Sequence, residues 1–182
     1  KATQGFLPKG EARYDSSLCG RLIDKIDSLF EDGRLSKEHH KDMSGALGVI
    51  RDLLNGSERE LIPVHSDLSE SNILITPSGL VPIDFSLFGY GHPMLDIASF
   101  ICLTDNTELH GAVIDGYKST SSNGIDYHAL DCCFALQVLL GIIIHFDRWE
   151  NEEWFSGKLN IWCGDIFGPL SEEKCVVAEI VR

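Results

Sequence analysis

Basic residues are scarce in this chain: Lys and Arg total 15 against 28 Asp and Glu, a formal net charge of −13 over 182 residues. A protein that lies along nucleic acid needs the opposite balance, because its affinity comes from displacing counterions from phosphates. A general nucleic-acid binder is therefore disfavoured, while a cationic ligand is permitted. Long apolar runs are also lacking. The most apolar stretch, residues 134–146, is interrupted by Gln137 and Gly141 and flanked by Asp131 and Asp147. It is shorter than the roughly 20 residues that span a bilayer, and it predicts a buried helix and no membrane partner. Residues 1–15 are polar and broken by Gly5, Pro8 and Gly10, a pattern in which no secretory signal is visible. The six cysteines, Cys19, Cys102, Cys132, Cys133, Cys163 and Cys175, include no Cys-x-x-Cys pair. That speaks against a zinc site or a disulfide framework, and for reduced thiols in a cytoplasmic setting. No internal repeat or low-complexity tract is visible.

What is present is an ordinary globular balance, with 43% apolar and 24% charged residues, which excludes wholesale disorder. Residues 1–15 read as a linker or extended entry segment, and residues 16–182 as one lobe. Ser16 or Ser17 begins a helix to about Phe30, ended by Gly33. Ser36 begins a second, with His39 where a capping box would carry Glu, running to about Leu54 before Asn55-Gly56. The pattern changes at Leu61. Residues 61–64 and 72–75 are short strands, residues 76–79 have turn chemistry, and residues 80–83 return as a partner strand carrying Pro82. Helices are expected near residues 94–103, 107–118, 126–146 and 172–181. Helices around one small β cluster make a mostly helical α+β lobe.

The chemistry concentrates in residues 64–98: His65-Ser66-Asp67, Asn72, Ile83-Asp84-Phe85, Gly89-Tyr90-Gly91-His92-Pro93 and Asp96-Ile97-Ala98. A strand ends at Val64, its loop presents Asp67 and Asn72, and the hairpin that follows delivers Asp84 beside them. Mg²⁺ takes oxygen ligands and shares them with substrate phosphates, and Asn72 and Asp84 supply two. Asp67 is left to orient or deprotonate an attacking hydroxyl.

His65-x-Asp67-x-x-x-x-Asn72, followed by Ile83-Asp84-Phe85 and Asp96-Ile97-Ala98, resembles the aminoglycoside phosphotransferase and choline kinase family. The resemblance implies a protein-kinase-like fold and transfer of the γ-phosphate of ATP to a hydroxyl of a small molecule, an aminoglycoside or related amino alcohol. It implies Asp67 as catalytic base, Asn72 and Asp84 as ligands of Mg²⁺ and hence of the nucleotide, and His65 and Asp96 as braces of the loop. Family members often carry Gly at the positions of Ser66 and Ser71, His or a bulky residue at Ser69, and Asp at His92. Protein kinases would carry Arg at Ser66 and Lys at Ser69, so the small-molecule branch fits better.

A kinase of this type also has an N-terminal β lobe with a phosphate-covering loop and a Lys. Only helices and linker precede Leu61, and the chain starts at Lys1. The chain is accordingly expected to be the C-terminal, substrate-binding lobe, inactive alone, with the N-terminal lobe as its missing partner. A non-catalytic binding module derived from such a lobe is the alternative. Asp147, Glu150, Glu152 and Glu153 read either as a solvated turn or as a seat for the ammonium groups of a cationic acceptor. Trp149, Trp154 and Trp162 read as packing residues or as a wall for the same cation. Glu38-His39-His40 reads as a solvated face and His145 as a hydrogen-bonded core or edge residue.

Overall fold

The computed structural model describes residues 12–57, 60–122 and 124–177. The first helix, α1 (Ser16–Glu31), is capped by Asp15, whose carboxylate accepts from the Ser17 N–H at 3.0 Å and the Ser17 hydroxyl at 2.6 Å. The cap lies one residue before the two serines because a carboxylate can take both donors at once. Leu22, Ile26 and Leu29 form its buried stripe. At Gly33 the chain adopts φ 71°, which only glycine enters freely, and α2 (Lys37–Gly56) follows. Ser36 caps it, accepting from the His39 N–H at 3.1 Å. Met43, Leu47, Ile50 and Leu54 form its buried stripe, and α2 packs against α1 as a helical hairpin.

Strand β1 (Ala12–Arg13) comes from the segment expected to be linker, and it pairs parallel to β5 (Gly89–Gly91). Strand β2 (Ile62–Val64) pairs antiparallel on the other side of β5, with Val64 opposite Gly89. Pro63 is tolerated because β2 is the edge of this sheet. A turn of 3-10 helix at Glu70–Asn72 leads into β3 (Ile73–Thr76), which forms a separate hairpin with β4 (Gly79–Pro82).

Helix α3 (Met94–Leu103) packs along α5 (Tyr127–Trp149), with α4 (Thr107–Thr120) between them in the chain. The α5 helix is longer than its apolar stretch suggests, at 23 residues, and is long and apolar enough to cross a membrane by length and composition alone. Its apolarity has a use inside the fold, since 67% of its most apolar window is buried and it touches α1, α2 and α3. Helix α6 (Glu153–Trp162), not foreseen from the sequence, continues through a π-helical turn at Cys163–Phe167 into α7 (Gly168–Ser171).

The helix expected over residues 172–181 does not begin there. Glu172 ends α7 and Glu173 takes a positive φ of 57°, which breaks the helical path. Val177 then donates its N–H to the buried carboxylate of Asp131 at 2.6 Å, and residues 178–182 lie outside the described residues. The cysteines form no disulfide among the described residues, and burial pushes the thiols of Cys132 and Cys163 up to about 12. The fold is α+β and mostly helical, with two small sheets set against one helical core.

Candidate active site

Two elements position the His65–Asn72 loop. From α3, Asp96 receives the His65 N–H at 3.1 Å on one oxygen and the Ser66 N–H at 2.8 Å on the other. One carboxylate thereby satisfies two consecutive backbone donors that no strand partner could reach. The Ser99 hydroxyl donates to the Leu68 carbonyl at 3.3 Å. From α5, Gln137 donates to the Ser66 carbonyl at 3.1 Å. The loop is therefore tied to the two helices that form the centre of the core.

His65 joins the loop to the hairpin. Its Nε2 lies 2.8 Å from the Ile83 carbonyl, which can only accept, so Nε2 carries the proton. Its Nδ1 then accepts the Asp67 N–H at 3.3 Å. One buried ring thus spans from Asp67 to the residue before Asp84, and the Phe85 ring covers it at 4.6 Å between centroids.

Asn72 donates through Nδ2 to both the Asp67 carbonyl, at 2.8 Å, and the Asp67 Oδ2, at 3.0 Å. Both partners are acceptors, which fixes the amide orientation and leaves Oδ1 available. The Asn72 carbonyl accepts the Ile83 N–H at 2.9 Å, so Asn72 and Asp84 are held at the same end of the hairpin. Asp84 adopts φ 57° and is exposed, with Oδ1 receiving the Ser86 N–H at 3.3 Å. Asp67, Asn72 and Asp84 are thus brought together as three oxygen-bearing side chains at one loop-and-hairpin end. No group of three or more His, Cys, Asp or Glu forms a self-contained metal site among the described residues. The donor set fits Mg²⁺, which accepts two hard oxygens and completes its shell from phosphates and water.

Sequence reasoning missed Ser66, Gln137, Ser99 and Tyr14. Ser66 is buried at φ 64°, a backbone region that glycine enters without strain. Tyr14 is buried and donates its hydroxyl to the Leu87 carbonyl at 2.7 Å. Burial raises its pKa, with Asp67 and Asp96 adding to the rise and a hydrogen bond with Ser66 opposing it. The Gly-preferring position at Ser66 was the one available signal; Gln137 and Ser99 are marked by no motif.

The acidic residues at the end of α5 lie elsewhere. Asp147 and Glu150 both pair with Arg34, from the turn between α1 and α2, and these contacts draw the Asp147 carboxyl below its usual range. Glu152 stands at the N-cap position of α6 without a side-chain capping bond, and Glu153 occupies the first turn. Asp147 is ten residues along α5 from Gln137, about 15 Å at the helical rise. Trp149, Trp154 and Trp162 cluster with Phe155 in tilted and edge-on contacts, with Arg148 over Trp149 and Lys158 over Trp162. His39 meets the Asn160 side chain and His40 the Asp27 carboxylate, both at 2.7 Å, and the His145 ring lies tilted against Trp149 at 4.7 Å between centroids.

The family model of the phosphotransferase enzyme family matches residues 6–131, more than half of the chain, including the His65–Asn72 loop, the hairpin, Asp84 and Asp96 but not Gln137. The chain belongs to that family. Membership in the phosphotransferase enzyme family implies a phosphotransferase activity in general. The match ends four residues after α5 begins, so most of α5, with α6, the π turn and α7, follows it. No curated protein matches the chain.

Proposed function

We propose that this phosphotransferase is a small-molecule kinase that uses ATP and Mg²⁺ to phosphorylate a hydroxyl of an aminoglycoside or related amino alcohol, and that this chain is its C-terminal, substrate-binding lobe. The observation that carries the reading is Asn72, hydrogen-bonded at once to the Asp67 backbone and carboxylate while its own carbonyl holds the strand that delivers Asp84. Asp67 then has one oxygen fixed by Asn72 and the other free to hold the acceptor hydroxyl in line and take its proton. Asn72 Oδ1 and the Asp84 carboxylate would hold the Mg²⁺. When bound, that ion supplies charge neutralisation for the phosphates. His65 and Asp96 act through the backbone, keeping Asp67 in place.

The hairpin supports the lobe assignment. Leu74, Ile75, Leu80 and Val81, with Phe85 and Leu87 beyond it, are 41–88% exposed beside the proposed metal ligands. Monomers rarely present so many large apolar side chains together, and a preceding nucleotide-binding lobe would cover them. The net charge of −13 suits a cationic acceptor, and the cysteine pattern suits a cytoplasmic enzyme.

The test uses the protein as its own cells make it. Its intact mass should exceed 20.2 kDa, and it should consume ATP in the presence of an aminoglycoside or amino alcohol. Asp67→Asn should lower kcat by about 10²–10⁴ without changing the folded spectrum. Unaltered turnover in that variant would remove Asp67 from the mechanism. Asp84→Asn should raise the Mg²⁺ concentration needed for half-maximal rate, and an unchanged requirement would remove the ligand role.

A further inference from the structure

From residue 129 to residue 139 of α5 every residue is buried except Gln137, which is half-buried between Leu136 and Val138. An amide set into such a face loses hydration and needs a partner in return. Its partner is Ser66. Gln137 Nε2 donates to the Ser66 carbonyl at 3.1 Å and lies 3.5 Å from the Ser66 hydroxyl. A carbonyl can only accept, so the amide nitrogen is the atom turned to the loop.

That carbonyl belongs to the peptide joining Ser66 to Asp67. The backbone on either side is held by other residues: Asp96 takes the His65 and Ser66 N–H groups, and Asn72 donates to the Asp67 carbonyl at 2.8 Å. The Ser66–Asp67 peptide has a bond at each end. Its N–H reaches His65 Nδ1 at 3.3 Å, long for a hydrogen bond, and its carbonyl receives Gln137 at the shorter distance. Ser66 also sits at φ 64°, a conformation that a residue with a side chain keeps only when its surroundings impose it. Because a peptide is planar, fixing its carbonyl fixes how the chain enters Asp67 and where that side chain points.

We infer that Gln137 is a positioning residue for phosphoryl transfer: by holding the Ser66 carbonyl it aims Asp67 at the acceptor hydroxyl. The role rests on the phosphotransfer reading above, in which Asp67 takes the proton. The Gln137 hydrogen bonds go to Ser66 and not to Asp67, Asn72 or Asp84, so Gln137 acts on turnover through the backbone and leaves nucleotide binding alone. It stands six residues beyond the end of the family match, outside the segment that carries the loop and the hairpin.

The test uses the protein as its cells make it, with ATP, Mg²⁺ and a panel of aminoglycosides and amino alcohols. Gln137→Met keeps the size and helix preference of the side chain but donates nothing. It should lower kcat about tenfold and leave the KM for ATP within about twofold. Exchange of the Asp67 N–H should quicken about tenfold, with protection in α3 unchanged. Val138→Ala, the next residue of the same helix, should lower the unfolding midpoint with kcat unchanged, which separates a loosened helix from a misaimed loop. Gln137→Glu, which presents only acceptors when ionised, should repeat the kcat loss and serves if Gln137→Met does not fold. Turnover that Asp67→Asn lowers but neither Gln137 variant changes would overturn the role alone. So would a kcat loss that Val138→Ala matches, or an unchanged Asp67 exchange rate. Absence of ATP consumption by the unaltered protein across the whole panel would overturn the phosphotransfer reading, and the role with it.

Discussion

Ser66 carries two burdens at the residue scale: it sits at φ 64° and is buried, while its carbonyl takes the Gln137 amide at 3.1 Å. Glycine would remove the steric cost but also the hydroxyl that meets Tyr14, so Ser66→Gly should leave stability within about 1 kcal/mol. A β-branched side chain has no such relief, and Ser66→Val should cost at least about 2 kcal/mol in urea denaturation. Equal midpoints for the two variants would refute the strain argument. His92 is buried, and its Nδ1 accepts the Met94 N–H at 3.2 Å at the start of α3. Burial lowers its pKa from the ordinary 6.5, against the opposing charges of Asp126 and Glu60. A depressed folded value means that stability is fully present above the unfolded pKa and is lost as pH falls through the folded one. The chain should therefore denature more easily at about pH 5 than at about pH 7.5, and His92→Asn, which keeps an acceptor for Met94, should shrink that difference. A pH difference unchanged in the variant would remove His92 as its source.

Among elements, the three-stranded sheet depends on backbone proximity. A Cβ on Gly89 would lie 2.3 Å from the Ala12 carbonyl oxygen, so β1 and β5 can pair only because the residue is glycine. Gly89→Ala should cost about 3 kcal/mol or detach β1, seen as lost exchange protection of the Tyr14 N–H, which now bonds the Tyr90 carbonyl at 2.8 Å. Gly141 in α5 is the contrast, since a Cβ there meets nothing within 4 Å. Gly141→Ala should raise stability by about 0.5–1 kcal/mol, as expected for a helix interior. A Gly89→Ala protein as stable as the parent would refute the close approach. Strands β1 and β5 were illegible in the sequence for the same reason: two- and three-residue strands have no room for a periodic pattern. Helix α6 escaped because Glu152, at its N-cap position, and Glu153, its first residue, resemble a solvated turn until Phe155 and Leu159 are seen to be buried.

Across the whole molecule, apolar surface is distributed unevenly. The helical core is closed, whereas Ile75 and Leu80 on the hairpin are 88% and 68% exposed. Ile75→Asn with Leu80→Asn should leave this chain within about 0.5 kcal/mol of its parent stability, since neither side chain has much burial to lose. In the protein as its cells make it, the same pair should lower the unfolding midpoint by uncovering a lobe contact. An unchanged midpoint there would count against a covering lobe.

The sequence by itself determined helices α1 to α5, because their apolar positions repeat over several turns, and the hairpin, because Pro77-Ser78-Gly79 separates two short apolar runs. It also determined the candidate loop residues His65, Asp67, Asn72, Asp84 and Asp96, whose order and intervals are visible without coordinates. Only the tertiary structure decided what holds them. Gln137 reaches Ser66 across 71 positions, and His65 couples Asp67 to Ile83 through a ring orientation that no spacing encodes. It alone decided that Asp147 and Glu150 meet Arg34 from more than 110 positions away. Local patterns record the period of the backbone, while such contacts depend on how distant helices cross, which is set by side-chain packing over the whole core.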